Sequence, residues 1–322
     1  MSTILEIRNL NVGYEGENGT TRIINNFNLK IEEGVIFGIA GESGSGKSTL
    51  AQAIYNSLRY PGIIESGEVI FDGKDILKLS NRELRRIRAV DTTFIPQAAM
   101  NALNPVKRIG DQFNDVFEAH GEDIEESQSR IQSVLNMVRL SPEVLHSYPH
   151  ELSGGMRQRT VIAMALVLSP KLVILDEPTT GLDVLVEHDI LRDIKRIQRQ
   201  KGFTMLMITH DLSILYQISD WIAMVYAGEI TEYGKRDDML NSPLHPYNYL
   251  LLKSLPRIGA KRYEGIKLIG APSNYSETNK GCQFITRCPF SEHECQITHP
   301  ELEAGNENDH YYRCVRTPDW KP

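Results

Sequence analysis

The sequence predicts an α/β fold: a largely parallel sheet with helices, an N-terminal antiparallel β layer, an inserted helical subdomain and a small C-terminal extension that holds the cysteines. Three observations carry this expectation. Short apolar runs at 34–40, 172–175, 205–208 and 222–226 are separated by helix-length segments, the rhythm of buried parallel strands. Residues 4–12 and 67–71 instead alternate loosely, with Leu5, Ile7, Leu10 and Val12, then Val69 and Phe71, at the apolar places. All four cysteines, Cys282, Cys288, Cys295 and Cys314, follow a stretch of 281 residues that has none. At 322 residues the chain exceeds the roughly 100–200 of a single domain, which suggests a large domain over 1–234 and an extension over 235–322.

The elements follow in order. The run at 34–40 is a buried strand, a glycine-rich turn comes next, and 48–58 is compatible with a helix. From about 98 to 168 the pattern is helical, and Ile131, Val134, Leu135 and Val138 have the spacing of one buried face. Ala227-Gly228 turns the chain into a last strand at 229–233. Beyond 234, Pro243, Pro246, Pro256 and Pro272 interrupt periodicity.

Composition narrows the classes. Apolar content of 41% and charged content of 24% are those of an ordinary globular chain, with no low-complexity tract. The longest apolar run, 161–168, falls far short of the roughly 18 residues of a spanning helix, and the N-terminus lacks a signal-peptide pattern. The chain is not expected to cross a membrane, and any membrane attachment would need a protein partner. A net charge of -7 argues against coating nucleic acid, so no nucleic-acid partner is expected.

Chemistry concentrates in three motifs. Residues 41–49 read Gly-Glu-Ser-Gly-Ser-Gly-Lys-Ser-Thr, so Gly41 to Ser48 fit GxxxxGK[ST] between a predicted strand and a predicted helix. Gly41, Gly44 and Gly46 let backbone N–H groups wrap phosphates, and Ser43, Ser45 and Thr49 belong to the same candidate binding set. Lys47 supplies a point charge to the β- and γ-phosphates of a nucleotide triphosphate, and Ser48 offers its hydroxyl to Mg2+. The second motif, Leu172-Val173-Ile174-Leu175-Asp176-Glu177, is an apolar strand that delivers two carboxylates to its C-terminal end. Asp176 suits Mg2+, mostly through water, and Glu177 suits polarisation of the attacking water as general base. The third, Leu152-Ser153-Gly154-Gly155-Met156-Arg157-Gln158, places a serine and two glycines before a helix-forming run, a second anion-binding helix start.

This third motif resembles the LSGGQ signature of ABC ATPases, and its place between phosphate loop and acidic strand is that family's order. The resemblance implies a P-loop ABC ATPase with a RecA-like core, in which Ser153, Gly154 and Gly155 contact the γ-phosphate held by an opposing subunit. It further implies that Tyr14 stacks on adenine, that Gln97 contacts Mg2+ and the attacking water, that Asp183, in Gly181-Leu182-Asp183, communicates across the dimer, and that His210 contacts the γ-phosphate. Residues 97–105, Gln-Ala-Ala-Met-Asn-Ala-Leu-Asn-Pro, and His245-Pro246-Tyr247 with Leu250-Leu251-Leu252 look like segments of dipeptide and oligopeptide importers.

Met156-Arg157-Gln158-Arg159 looks closer to their D-type than their F-type ATPase. The implied partners are a second ABC ATPase subunit, an F-type paralogue forming a heterodimer, two integral membrane permeases and, indirectly, an extracellular solute-binding protein. The implied place is the cytoplasmic face of the cell membrane. Similar systems import nickel complexes or oligosaccharides. Soluble ABC ATPases of translation or DNA repair are the alternative from another class, but many carry two cassettes or a long coiled-coil insertion, and neither is visible here.

The cysteines are separated by five, six and eighteen residues, and no pair has the two-residue gap of a zinc ribbon. Spacing alone leaves zinc, disulfides and unliganded thiols open. The resemblance to D-type subunits implies that Cys282, Cys288, Cys295 and Cys314 hold a [4Fe-4S] cluster, which suits four thiolates.

Overall fold

The computed structural model describes residues 2–17, 19–255, 280–305 and 309–316; Pro256 and Pro272 lie outside them. Two compact units emerge. One contains Glu32–Ile36 and Lys78–Ile208, the other Leu5–Ile31, Phe37–Leu77 and the chain from Thr209 onward.

The N-terminal part of the second unit is the expected antiparallel layer, and it is larger than the sequence suggested. Strands β1 (Thr3–Gly16) and β2 (Gly19–Glu32) are long, and after β3 (Ile36–Ala40) and α1 (Lys47–Ile54) come β4 (Gly62–Phe71) and β5 (Lys74–Asp75). The sheet order is β2-β1-β4-β5, with β1 and β4 antiparallel. β2 escapes a period-2 reading because its pattern changes phase. Ile24 is buried, Phe27, Leu29 and Ile31 are buried, and between them Asn26 adopts φ 39°, a left-handed kink that puts the two halves out of step. Helix α1 stops at Ile54 rather than near 58, because Asn56 also turns left-handed at φ 50°.

The first unit carries α2 (Asn81–Ile87), β6 (Thr92–Ile95), α3 (Ile109–His120), α4 (Ile124–Met137), α5 (Gly154–Leu166), β7 (Leu172–Asp176), α6 (Val184–Lys201) and β8 (Thr204–Thr209). Within it β6, β7 and β8 pair in parallel. Every residue of β7 is buried, as an apolar run in a doubly covered sheet requires. Helices α3, α4 and α5 fill the stretch expected to be helical, and Ile131, Val134, Leu135 and Val138 are all buried. The buried Asp193 of α6 accepts from Arg159 of α5 at 2.6 Å and pairs with Arg139, just past α4, at 3.1 Å. One carboxylate therefore joins α5 and α6 to the segment that follows α4.

The rest of the second unit has α7 (Leu212–Ile218), β9 (Trp221–Tyr226), β10 (Glu229–Lys235), α8 (Arg236–Asn241), α9 (Pro246–Ser254), α10 (Glu294–Ile297), β11 (Glu303–Ala304) and β12 (Tyr311–Tyr312). β3 runs parallel to β9, β9 and β10 form the expected hairpin across Ala227-Gly228, and β12 adds antiparallel to β10. Pro246 interrupts nothing: it is the first residue of α9, where its missing N–H has no role to lose. The extension is fastened at Glu232, which is fully buried on β10 and accepts from the Leu244 and His245 amides at 2.9 and 2.8 Å. His310 Nε2 lies 2.8 Å from the same carboxylate. Three polar partners balance the cost of burying that acid.

Candidate functional site

The phosphate loop joins β3 to α1. Gly46 adopts φ 93° at the helix N-cap, and a Cβ there would sit 2.8 Å from Ile24 Cδ1, so both conformation and space call for glycine. The helix begins at Lys47, with its first N–H groups directed at the loop. Lys47 is buried, and its Nζ donates to the Gly41 and Glu42 carbonyls at 2.8 and 2.7 Å and to Ser45 Oγ at 3.2 Å. A phosphate oxygen within reach competes with these neutral acceptors, and a charged acceptor is the stronger one. Tyr14 lies beside this helix, its hydroxyl 3.1 Å from Thr49 Oγ1. His210 is exposed between the end of β8 and α7, which Asp211 caps by accepting from the Ser213 amide at 2.7 Å.

The acidic strand end lies in the first unit. Asp176 is buried as the last residue of β7, and Glu177 follows at φ 46°, rare for a residue with a side chain and one before proline. Its amide donates to the Ile208 carbonyl at 2.9 Å and its carbonyl accepts from the Thr180 amide at 3.2 Å, which hold that geometry. The carboxylate is held too. Gln97 Nε2 donates to Glu177 Oε2 at 2.9 Å, and Thr180 Oγ1 donates to the same oxygen at 3.1 Å. Two residues expected to share one water, Gln97 and Glu177, are thus in contact.

In the same unit Ser153 caps α5, its Oγ accepting from the Met156 amide at 3.3 Å, and Asp183 caps α6 in the same way from the Val186 amide at 3.0 Å. The two helix starts pack together. A Cβ on Gly155 would stand 2.8 Å from Val186 Cγ1, and one on Gly154 would stand 3.3 Å from Leu182 Cδ2. The glycines therefore serve close approach as well as exposed N–H groups. Beside Asp183, Val184 and Leu185 are 77% and 80% exposed, an apolar pair presented to solvent next to the signature helix.

All four cysteines line one cavity of the second unit, with His245, Phe284 and Arg316 also in its wall. They stand as thiols rather than disulfides. Burial pushes the Cys282 thiol up to about 12 and the Cys288 thiol up to about 11, and raises Cys314 as well. Among the described residues, no three or more His, Cys, Asp or Glu close on a single metal ion. No described helix is long and apolar enough to cross a membrane.

Comparison with known proteins fits this geometry. A family model described as "ABC transporter" matches residues 24–180, and one described as "Oligopeptide/dipeptide transporter, C-terminal region" matches residues 231–295. The oligopeptide transport ATP-binding protein OppD of Haemophilus influenzae is 39% identical over 310 residues, 95% of each chain. The chain belongs to the ABC transporter ATP-binding family. Within that family, the dipeptide transport ATP-binding protein DppD of Caldanaerobacter subterraneus is 37% identical over 304 residues, 94% of this chain and 93% of that one. A solved dimeric ATP-binding cassette, in a post-hydrolysis state with ADP and phosphate, superposes with a TM-score of 0.64 at 28% identity, over 72% of this chain and 98% of that one. This ABC chain is accordingly an ATPase with the mixed α/β cassette fold.

Sequence reading missed two kinds of residue. Thr180 lies three positions after Glu177 in a Pro-Thr-Thr-Gly turn, and only the turn brings its hydroxyl back to the carboxylate. Arg287 and Tyr247 lie more than two hundred residues from Glu42, yet both bond to it. No local pattern signals such a pair.

Proposed function

We propose that this ABC ATPase powers import of di- and oligopeptides through a membrane transporter. The observation that carries this is the full-length similarity to oligopeptide and dipeptide transport ATP-binding proteins, which extends through the C-terminal region rather than stopping at the cassette. In this reading the loop Gly41, Ser43, Gly44, Ser45, Gly46, Lys47, Ser48 and Thr49 holds the phosphates, and Tyr14 meets the adenine. Mg2+, when bound, offsets the charge of the β- and γ-phosphates, with Ser48, Gln97 and Asp176 as the residues to hold it. Glu177 takes the proton of the attacking water. The contacts from Gln97 and Thr180 support that role by fixing the carboxylate before any substrate arrives. His210 faces the γ-phosphate, while Ser153, Gly154, Gly155 and Asp183 serve the nucleotide of an opposing cassette. The exposed Val184 and Leu185 support a partner there.

The proposed assembly is a heterodimer with an F-type paralogue, bound to two permeases at the cytoplasmic face of the membrane and fed by an extracellular solute-binding protein. ATP drives transport by binding the closed pair of cassettes better than the open one, since only differential affinity can shift that equilibrium. Cys282, Cys288, Cys295 and Cys314 are proposed to hold a [4Fe-4S] cluster. Such a cluster takes one thiolate per iron at separated corners, so its ligands ring a cavity instead of converging on a point.

Isolation of the tagged native chain from detergent-solubilised membranes tests the reading. Recovery of two integral membrane proteins and a second cassette is expected; recovery of ribosomes or DNA instead contradicts it. Anaerobic purification with iron and sulfide analysis tests the cluster. A brown chromophore lost in Cys288→Ser is expected, and iron-free protein contradicts it.

A further inference from the structure

Glu42 is the second residue of the phosphate loop, an acid in a loop that receives a polyanion. Its charge opposes the ligand unless something offsets it. Arg287 does so: Nη1 and Nη2 donate to the two carboxylate oxygens at 2.5 and 2.9 Å, a bidentate pair. The Arg287 side chain is 3% exposed against 28% for Glu42, so the guanidinium is a fixed, buried partner. It lies 5.7 Å from the centre of the Tyr226 ring, within a cluster where Tyr226, Tyr247 and Phe284 pack edge-on or tilted at 5.0 to 5.3 Å.

The backbone of Glu42 is held as well. Its amide donates to the Tyr247 hydroxyl at 3.1 Å, and its carbonyl accepts from Lys47 Nζ at 2.7 Å. The C-terminal extension thus grips the amide of the residue whose carbonyl touches the phosphate-binding lysine. Arg287 directly precedes Cys288, so the grip starts at the wall of the cysteine cavity.

We infer that Arg287 is a positioning residue for nucleotide binding: it neutralises Glu42 and, with Tyr247, holds the start of the phosphate loop from the C-terminal extension. Without Arg287 the Glu42 carboxylate stands uncompensated in the phosphate loop, where its charge repels a triphosphate. A mere anchor for the extension behaves differently, because losing either partner then harms equally. The inference rests on the nucleotide-binding reading of the loop, and its failure is distinguishable from failure of that reading, which appears as no binding by the unaltered chain.

The test is calorimetric titration of the full-length chain with a non-hydrolysable ATP analogue and Mg2+, alongside thermal unfolding. Arg287→Met is expected to weaken binding by roughly tenfold, and the double variant Arg287→Met/Glu42→Gln to return within about threefold of the unaltered chain. Glu42→Gln alone, which leaves Arg287 cationic, is expected to bind more tightly. Should Arg287→Met fail to fold, the sign of the Glu42→Gln effect still decides. Weaker binding by Glu42→Gln, unchanged binding by Arg287→Met, or a double variant as weak as Arg287→Met overturns the inference.

Discussion

At the scale of single residues, the base of the proposed reaction is Glu177. Its backbone is forced into φ 46°, and its carboxylate takes hydrogen bonds from Gln97 and Thr180. Glu177→Gln keeps the size and removes the base, so turnover should fall about a hundredfold or more while MgATP binding persists. Phosphate release and nucleotide binding, measured on one preparation, check this; undiminished turnover would remove Glu177 from its role. His245 makes the complementary case of a titratable group with a structural duty. Its Nδ1 caps α9 by accepting from the Tyr247 amide at 3.0 Å, and burial, reinforced by the Arg313 charge, holds the imidazole at about 3.

The sign follows from which state binds the proton. The unfolded imidazole titrates near its ordinary value of about 6.5, whereas the folded one refuses the proton until about 3, so stability is lost as pH falls through that window, at up to about 1.4 kcal/mol per pH unit. His299 acts oppositely, since Glu229 raises it and its contribution disappears as pH rises. Urea unfolding of His245→Asn, which keeps a cap acceptor, should show a flatter stability curve than the unaltered chain between about pH 6 and about pH 4. Parallel curves would contradict the assignment.

At the scale of elements, the signature helix α5 and the helix α6 that follows Asp183 show why a motif and a packing constraint coincide. Gly155 lies against Val186, with no room for a methyl group. Gly155→Ala should therefore cost about 1–3 kcal/mol by denaturant unfolding, despite the better helix propensity of alanine. In a Val186→Ala background the same change should become neutral or stabilising. An equal cost in both backgrounds would show that packing is not the cause. The elements also mark where the sequence was legible. Buried parallel strands such as β7 read directly because both faces are covered, and the GxxxxGK[ST] loop reads because its glycines have a geometric duty. Strand β2 did not, since Asn26 breaks its phase, and β6 is only four residues, too short to display a period. Helix α2 carried an unused signal: Ser80 and Glu83 form a reciprocal capping box.

At the scale of the whole molecule, the cysteine-bearing extension is less separate than its composition suggested. β12 continues the sheet at the edge of β10, Glu232 collects three donors from segments beyond it, and Arg287 and Tyr247 reach the phosphate loop. These contacts join residues far apart in sequence, so no local pattern announces them, whereas each nucleotide-site motif is contiguous. That difference explains why the phosphate loop and the acidic strand were readable and the extension's attachment was not. It also ties the C-terminal region that matches the peptide-transport family to the ATPase loop within one compact unit. Uptake of labelled di- and oligopeptides by the native host carrying the chromosomal Glu177→Gln change is the most direct measurement. Loss of uptake with the membrane complex still assembled is the predicted result, and undiminished uptake would contradict the assignment of this chain as the motor of peptide import.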